Sequence, residues 1–76
     1  MKLKDRFFAP EGGSAYTQLI RKSSMGSYIV GCLAEDTTAE AIMEELRALY
    51  DVPGEVVAAA VADILTTLRE ADLLEE

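Results

Sequence analysis

Seventy-six residues carry one domain, because a chain this short buries only about 60% of the surface its unfolded form exposes and has no room for a second core. Half of the residues are hydrophobic, and once 11 alanines are set aside 27 larger ones remain to build that core. The net charge is −7, with no histidine and one cysteine, Cys32, which excludes an intrachain disulfide, histidine triads, His/Cys zinc sites and CxxC redox pairs.

The first third of the chain reads as strands. Leu3 to Ala9 and Ser14 to Arg21 contain aromatic and β-branched residues and flank the turn signal Pro10-Glu11-Gly12-Gly13, the pattern of a hairpin. In the second run Tyr16, Gln18 and Ile20 would share one face and Ala15, Thr17, Leu19 and Arg21 the other, so neither face is cleanly apolar.

Beyond residue 24 the period becomes helical. Ser23 or Ser24 can cap a helix over about 24–34 whose apolar residues Met25, Tyr28, Ile29, Cys32 and Leu33 recur at three- and four-residue intervals. Gly26 and Gly31 each weaken it by about 1 kcal/mol relative to alanine, so it needs tertiary contacts, or needs glycine for the close approach of another element. Thr37-Thr38-Ala39-Glu40 matches a capping box and opens a helix over about 38–50, with Ile42, Met43, Leu46, Leu49 and Tyr50 as its buried stripe and Glu44, Glu45 and Arg47 outside. Asp51-Val52-Pro53-Gly54 breaks that helix and starts the last, about 53–71, striped by Val57, Val61, Ile64, Leu65 and Leu68. Leu73-Leu74 follows as an apolar tail. The expected class is therefore α+β: a small amino-terminal hairpin packed on three helices, similar to a winged helix-turn-helix. A two-stranded sheet is marginal in water, so the hairpin must lean on the helices or recruit another strand.

Charge follows the same boundary. Residues 1–24 hold five basic against two acidic residues, net +3, and the remainder holds Arg47 and Arg69 against twelve carboxylates, net −10. The amino terminus is interrupted by Lys4, Asp5 and Arg6 and forms no signal-peptide apolar region, and no run approaches the roughly 18–20 apolar residues of a membrane span. With a lone thiol, a cytoplasmic location is expected.

Catalytic chemistry is poorly served. Cys32 lies on an apolar helical stripe with no histidine to activate it, which favours a packed thiol over a nucleophile. Carboxylate pairs such as Glu44/Glu45 and Asp36/Glu40 sit on helix surfaces, Gly12-Gly13 lacks the lysine or GxGxxG spacing of a phosphate loop, and no segment has EF-hand spacing. No cofactor or metal is expected, and the chain does not read as an enzyme.

Taken together, the final forty residues carry a moderately specific register. It runs from Leu33-Ala34-Glu35-Asp36-Thr37-Thr38-Ala39-Glu40-Ala41-Ile42 through Leu49-Tyr50-Asp51-Val52-Pro53 and Val61-Ala62-Asp63-Ile64-Leu65 to Leu68-Arg69-Glu70-Ala71-Asp72-Leu73-Leu74. This resembles the carboxyl-terminal half of the PqqD-like family, the RiPP recognition elements, and Leu3-Lys4-Asp5-Arg6-Phe7 resembles that family's first strand. The family usually has three amino-terminal strands. Here one is missing, and Arg21-Lys22-Ser23-Ser24-Met25-Gly26 stands where a Leu-Asn-Glu-Thr-Gly type segment is expected.

The resemblance implies a non-catalytic module that binds the leader region of a ribosomally made precursor peptide and presents it to a modifying enzyme such as a radical-SAM protein or a protease. The leader would add a strand to an exposed sheet edge while its side chains enter a cleft beside the last helix. Mapped onto this chain, the edge is Tyr16, Thr17, Gln18, Leu19, Ile20, Arg21 and Lys22, and the cleft is Val57, Val61, Ile64 and Leu65 with Ala60 as its floor. Those aliphatic residues are equally the best core candidates. Arg21 and Lys22 would attract an acidic leader. Two other readings use the same elements: a protein-interaction winged helix, and a self-associating module in which two hairpins pair across a twofold axis and so supply the missing strand. A DNA-binding winged helix is disfavoured, because twelve carboxylates would face phosphates and the last helix bears only Arg69 as a cation.

Overall fold

A computed structural model describes residues 1–10, 12–22 and 24–76, with the side chain of Lys22 outside that description. The architecture is α+β, with two short strands at the chain ends and the helices between them. Strand β1 (Lys2–Leu3) leads into a one-turn 3-10 helix (Asp5–Phe8), followed by α1 (Gly12–Lys22), α2 (Gly26–Cys32), α3 (Ala39–Leu49), α4 (Gly54–Glu70) and strand β2 (Leu74–Glu75).

The amino-terminal hairpin is replaced. Helix α1 takes up residues 14–21, the expected second strand, together with Gly12-Gly13 of the expected turn, and β1 takes its partner from the other end of the chain. The cause lies in the weak alternation of that segment. At helical spacing Ala15 and Leu19 fall on one face and turn inward, Leu19 to complete burial, while Ser14, Thr17, Gln18 and Arg21 face solvent. Only Thr17 and Ile20 are β-branched, and the other residues of the run are mostly good helix formers. The expected apolar tail is β2, antiparallel to β1 with Lys2 opposite Glu75 and Leu3 opposite Leu74.

Strand β1 is held on both sides. Lys4 N–H donates to the Leu73 carbonyl at 2.8 Å, while Leu3 N–H turns the other way to the Leu33 carbonyl at 2.9 Å and Thr37 N–H donates to the Met1 carbonyl at 2.8 Å. The strand is thus threaded between β2 and the α2–α3 connection, and β1 finds its strand partner at the other end of the same chain.

Helix ends follow local chemistry, with shifts from the expected caps. Thr38 is the N-cap of α3, and its hydroxyl accepts from Ala41 N–H at 3.2 Å. That places Glu40 in the first turn as a charge facing the helix dipole, one position short of reciprocating a capping box. Helix α2 has Met25 at its N-cap and no side-chain cap; Ser24 precedes it in a turn, and Ser23 lies outside the described residues. Pro53 is the N-cap of α4 rather than its first residue.

At its other end α4 closes in a Schellman arrangement: Leu73 N–H donates to the Leu68 carbonyl at 2.9 Å and Asp72 N–H to that of Arg69 at 3.0 Å. Asp72 supplies the left-handed residue, φ 58°, usually given to glycine. Leu68 and Leu73 are both buried, the apolar contact that accompanies this motif.

The core runs from Leu3 and Phe7 through Leu19, Ile29 and Leu33 to Ile42, Leu46 and the inner face of α4. It contains no buried polar residue among those described. Gly26 has a specific packing role, because a Cβ there would stand 2.7 Å from the Leu19 carbonyl oxygen, and only glycine lets α2 approach the backbone of α1 so closely. Gly31 has open space around its Cα and no such role.

Candidate functional site

The 3-10 helix divides its two phenylalanines. Phe7 turns inward at 8% exposure and Phe8 outward at 65%, and their rings meet edge to face at 5.6 Å with an 84° interplanar angle. The ring of Phe7 also meets Tyr16 of α1 edge to face, at 6.3 Å and 82°. One turn further along α1, Ile20 stands four residues from Tyr16 and therefore on the same face. Tyr16 is 36% and Ile20 40% exposed, so Phe8, Tyr16 and Ile20 form an apolar strip on the surface, anchored from beneath by Phe7.

Cations border the strip. Lys4 Nζ is 2.6 Å from Asp72 Oδ1 and Arg6 Nη1 is 3.1 Å from Asp72 Oδ2, so two positive side chains share one carboxylate. Arg6 also donates to the Asp72 carbonyl at 3.2 Å. The Lys4 ammonium, with Arg6 behind it, holds the Asp72 carboxyl below the usual aspartate range. Arg21 is exposed on α1, and Asp5 is exposed at the start of the 3-10 helix.

The residues expected to bind peptide divide between this strip and the core. Tyr16, Thr17, Gln18, Ile20 and Arg21 are exposed on α1, where the Thr17 hydroxyl donates back to the Gly13 carbonyl at 3.0 Å. Leu19 is buried, as are Val57, Val61, Ile64 and Leu65 of α4, and Ala60 is half-buried. The structure therefore brings Leu19 and the α4 aliphatics into one closed core, where they wall no cleft. Nor do residues 16–21 offer a strand edge, since their backbone is helical, with its N–H groups bonded within α1. The two-residue sheet offers little in its place: the outer side of β1 is taken by the bonds to Leu33 and Thr37, and Leu74 of β2 is 6% exposed.

Two surfaces escaped sequence reasoning. Phe8 was read as part of a strand, and the only available signal was the doubled Phe7-Phe8, of which one ring in a short helical turn must face out. Leu49, assigned to the buried stripe of α3, is 61% exposed, and with Val52 and Val56 it leaves an apolar surface at the α3–α4 elbow. Met43 and Tyr50 of that stripe are only partly buried, while Ile42 and Leu46 are fully so.

A groove of about 590 Å³ lies between α2, the 33–37 connection and α3, lined by Ser27, Tyr28, Gly31, Cys32, Glu35, Asp36, Thr37 and Glu45. The Cys32 thiol donates to Glu45 Oε2 at 3.3 Å. Partial burial, then this hydrogen bond and the Glu45 charge, push the thiol up to about 11. Tyr28 beside it is raised as well, first by loss of solvent and then by Glu45. At neutral pH the thiol is protonated, on the order of 1 part in 10,000 thiolate, which is the opposite of nucleophile activation. Among the described residues no group of three or more metal-ligating side chains comes together. No helix among them is long and apolar enough to cross a membrane.

These features define a small α+β domain whose distinctive surface is an apolar, cation-bordered strip suited to contact. The family model for coenzyme PQQ synthesis protein D matches residues 8–74, and the chain belongs to the PqqD family. That family serves as an accessory in coenzyme PQQ synthesis, the elaboration of a peptide precursor. No curated protein and no solved structure matches the chain.

Proposed function

We propose that this chain holds the leader region of a ribosomally made precursor peptide and presents it to a modifying enzyme, such as a radical-SAM protein or a protease, without catalysing a reaction itself. The carrying observation is the strip of Phe8, Tyr16 and Ile20, three large apolar side chains left in solvent around the buried Phe7, on the elements that also carry Arg6 and Arg21. Family membership supports the class of partner, and the strip supplies a place for it. Docking on α1 works through side chains: apolar leader residues cover the strip, and acidic ones meet the +3 segment. This differs from strand addition, for which a helix at residues 12–22 has no free edge.

An amide-shift titration with a synthetic leader peptide tests the proposal. The expected perturbations centre on residues 7–8 and 15–21, and Tyr16→Ala weakens binding without loss of helicity. Perturbations confined to α2 and α3 would refute the assignment.

A further inference from the structure

The second exposed apolar surface complements the first. Leu49, Val52 and Val56 stand at 61%, 36% and 44% exposure around the α3–α4 elbow. Residues 44–56 hold four carboxylates against Arg47, net −3, and Asp51 and Glu55 are exposed among the apolar side chains. Lys2, Lys4, Arg6, Arg21 and Lys22 outweigh Asp5 and Glu11 on the segment carrying the strip, and counting the clasped Asp72 still leaves +2.

The two surfaces lie at opposite ends of α4. Val56 is in its first turn, whereas Asp72, just past its last, is bonded to Lys4 and Arg6 beside Phe7 and Phe8. At a rise of about 1.5 Å per residue the two ends are roughly 24 Å apart, along a molecule 34 Å in its longest dimension.

We propose that a second copy of this chain seats its α3–α4 elbow on the Phe8–Tyr16–Ile20 strip, so that the molecules associate head to tail. A contact between two different surfaces is heterologous and does not close on itself at two copies, unlike twofold pairing. Three apolar side chains per surface cover less than the roughly 800 Å² per partner of a standard interface, so association is weak, with dissociation constants of about 0.1 to 1 mM. Opposed charges make it sensitive to salt. Resting here on the proposed peptide docking, the inference adds a regulatory consequence: the elbow of a neighbouring copy and the leader compete for one strip, so bound leader disperses the assemblies.

Sedimentation equilibrium from about 10 µM to about 1 mM at low salt tests this. The weight-average mass should climb from 8.3 kDa to more than twice that value without a plateau, and return to 8.3 kDa in about 0.5 M salt. Ile20→Glu removes the strip and Leu49→Lys the elbow; each variant alone should remain monomeric. Mixed in equal amounts they still offer one intact elbow and one intact strip, and should form a dimer and nothing larger. Circular dichroism checks their fold, with Tyr16→Glu and Val56→Lys as replacements if either is unfolded.

A plateau at two copies for the unmutated chain, a mass independent of concentration, or a mixture no heavier than its separate components would each overturn the head-to-tail contact. Leader peptide that shifts the strip resonances yet leaves the mass unchanged would overturn the competition while sparing the peptide proposal. Assembly that proceeds as expected while leader fails to bind would reject the peptide proposal, and the competition with it, while sparing the head-to-tail contact.

Discussion

Gly26 and Gly31 lie in the same seven-residue helix, and replacing each with alanine should move stability in opposite directions. At Gly26 the new Cβ would stand 2.7 Å from the carbonyl oxygen and 3.2 Å from the carbonyl carbon of Leu19, and 3.4 Å from the Ile20 Cα. All three are backbone atoms of α1, so no side chain can rotate away, and relief requires α1 and α2 to separate by roughly half an ångström. Overpacking of this kind costs about 1–3 kcal/mol. The helix-propensity gain of alanine, at most about 1 kcal/mol in a helix interior and less at the first residue of α2, offsets only part of it.

At Gly31 nothing lies within 4 Å of the added Cβ, so the propensity gain of about 0.5–1 kcal/mol stands alone. The two variants should therefore differ by roughly 2 kcal/mol, which in a domain of this size separates their melting temperatures by about 8–16 °C. Thermal and urea unfolding followed at 222 nm measures both quantities. If Gly26→Ala proved as stable as Gly31→Ala, the close approach of α2 to the Leu19 carbonyl would be wrong.

Three carboxylates tie the chain ends, and acid should loosen them. Asp72 is depressed by Lys4, Asp36 by the terminal ammonium and Glu76 by Arg69, so the stability they contribute is present above their unfolded values of about 4 and is lost as pH falls through the lower folded values. Urea midpoints should hold steady from pH 7 to about 5 and decline below about 4, with a shallower decline for Asp72→Asn; equal slopes would argue against the clasp. At Asp72, alanine should lower the melting temperature more than glycine, since alanine loses the ion pairs and still occupies φ 58°, whereas glycine loses only the pairs. Cys32 alkylation by iodoacetamide should be slow at neutral pH and still be rising with pH near 11, and Glu45→Gln should shift that profile to lower pH; an unshifted profile would remove Glu45 as a cause. Ile64→Ala should cost about 2–5 kcal/mol of stability and reduce leader binding only through the loss of folded protein, in contrast to Tyr16→Ala; weakened binding by a fully folded Ile64→Ala would put α4 back at the peptide site.

Legibility from sequence tracked how strongly one period dominated. Residues 39–70 carry long apolar stripes punctuated by Thr38 and Pro53, and Ile42, Leu46, Val57, Val61, Ile64 and Leu68 are buried as periodicity requires. Leu49 failed because a stripe extended to the end of a helix runs past the elements that cover it. Residues 14–21 misled for another reason. Aromatic and β-branched residues bounded by Pro and Gly fit a strand by composition, and only the inward pairing of Ala15 with Leu19, visible once α1 is packed, decides for helix. The partnership of β1 with β2 could not be read locally, since Leu3 and Leu74 are joined by tertiary geometry alone. For the site, the charged and aromatic residues of the amino-terminal third are the informative ones, but the face they share depends on the helix, and of the two roles periodicity allows the aliphatics of α4, cleft wall or core, burial favours the core.

The end-to-end pairing of β1 with β2 also bears on the order in which the fold assembles. The helix pairs α1–α2 and α3–α4 close through contacts between chain neighbours, whereas joining Leu3 to Leu74 and Lys4 to Asp72 spans nearly the entire sequence and must overcome the closure entropy of a far longer loop. Such contacts form late, so substitutions in the clasp should accelerate unfolding while leaving the folding rate almost unchanged. The protein would then hold a kinetic latch at its ends, and the lifetime of the native state could be lengthened or shortened there without altering how quickly it is reached.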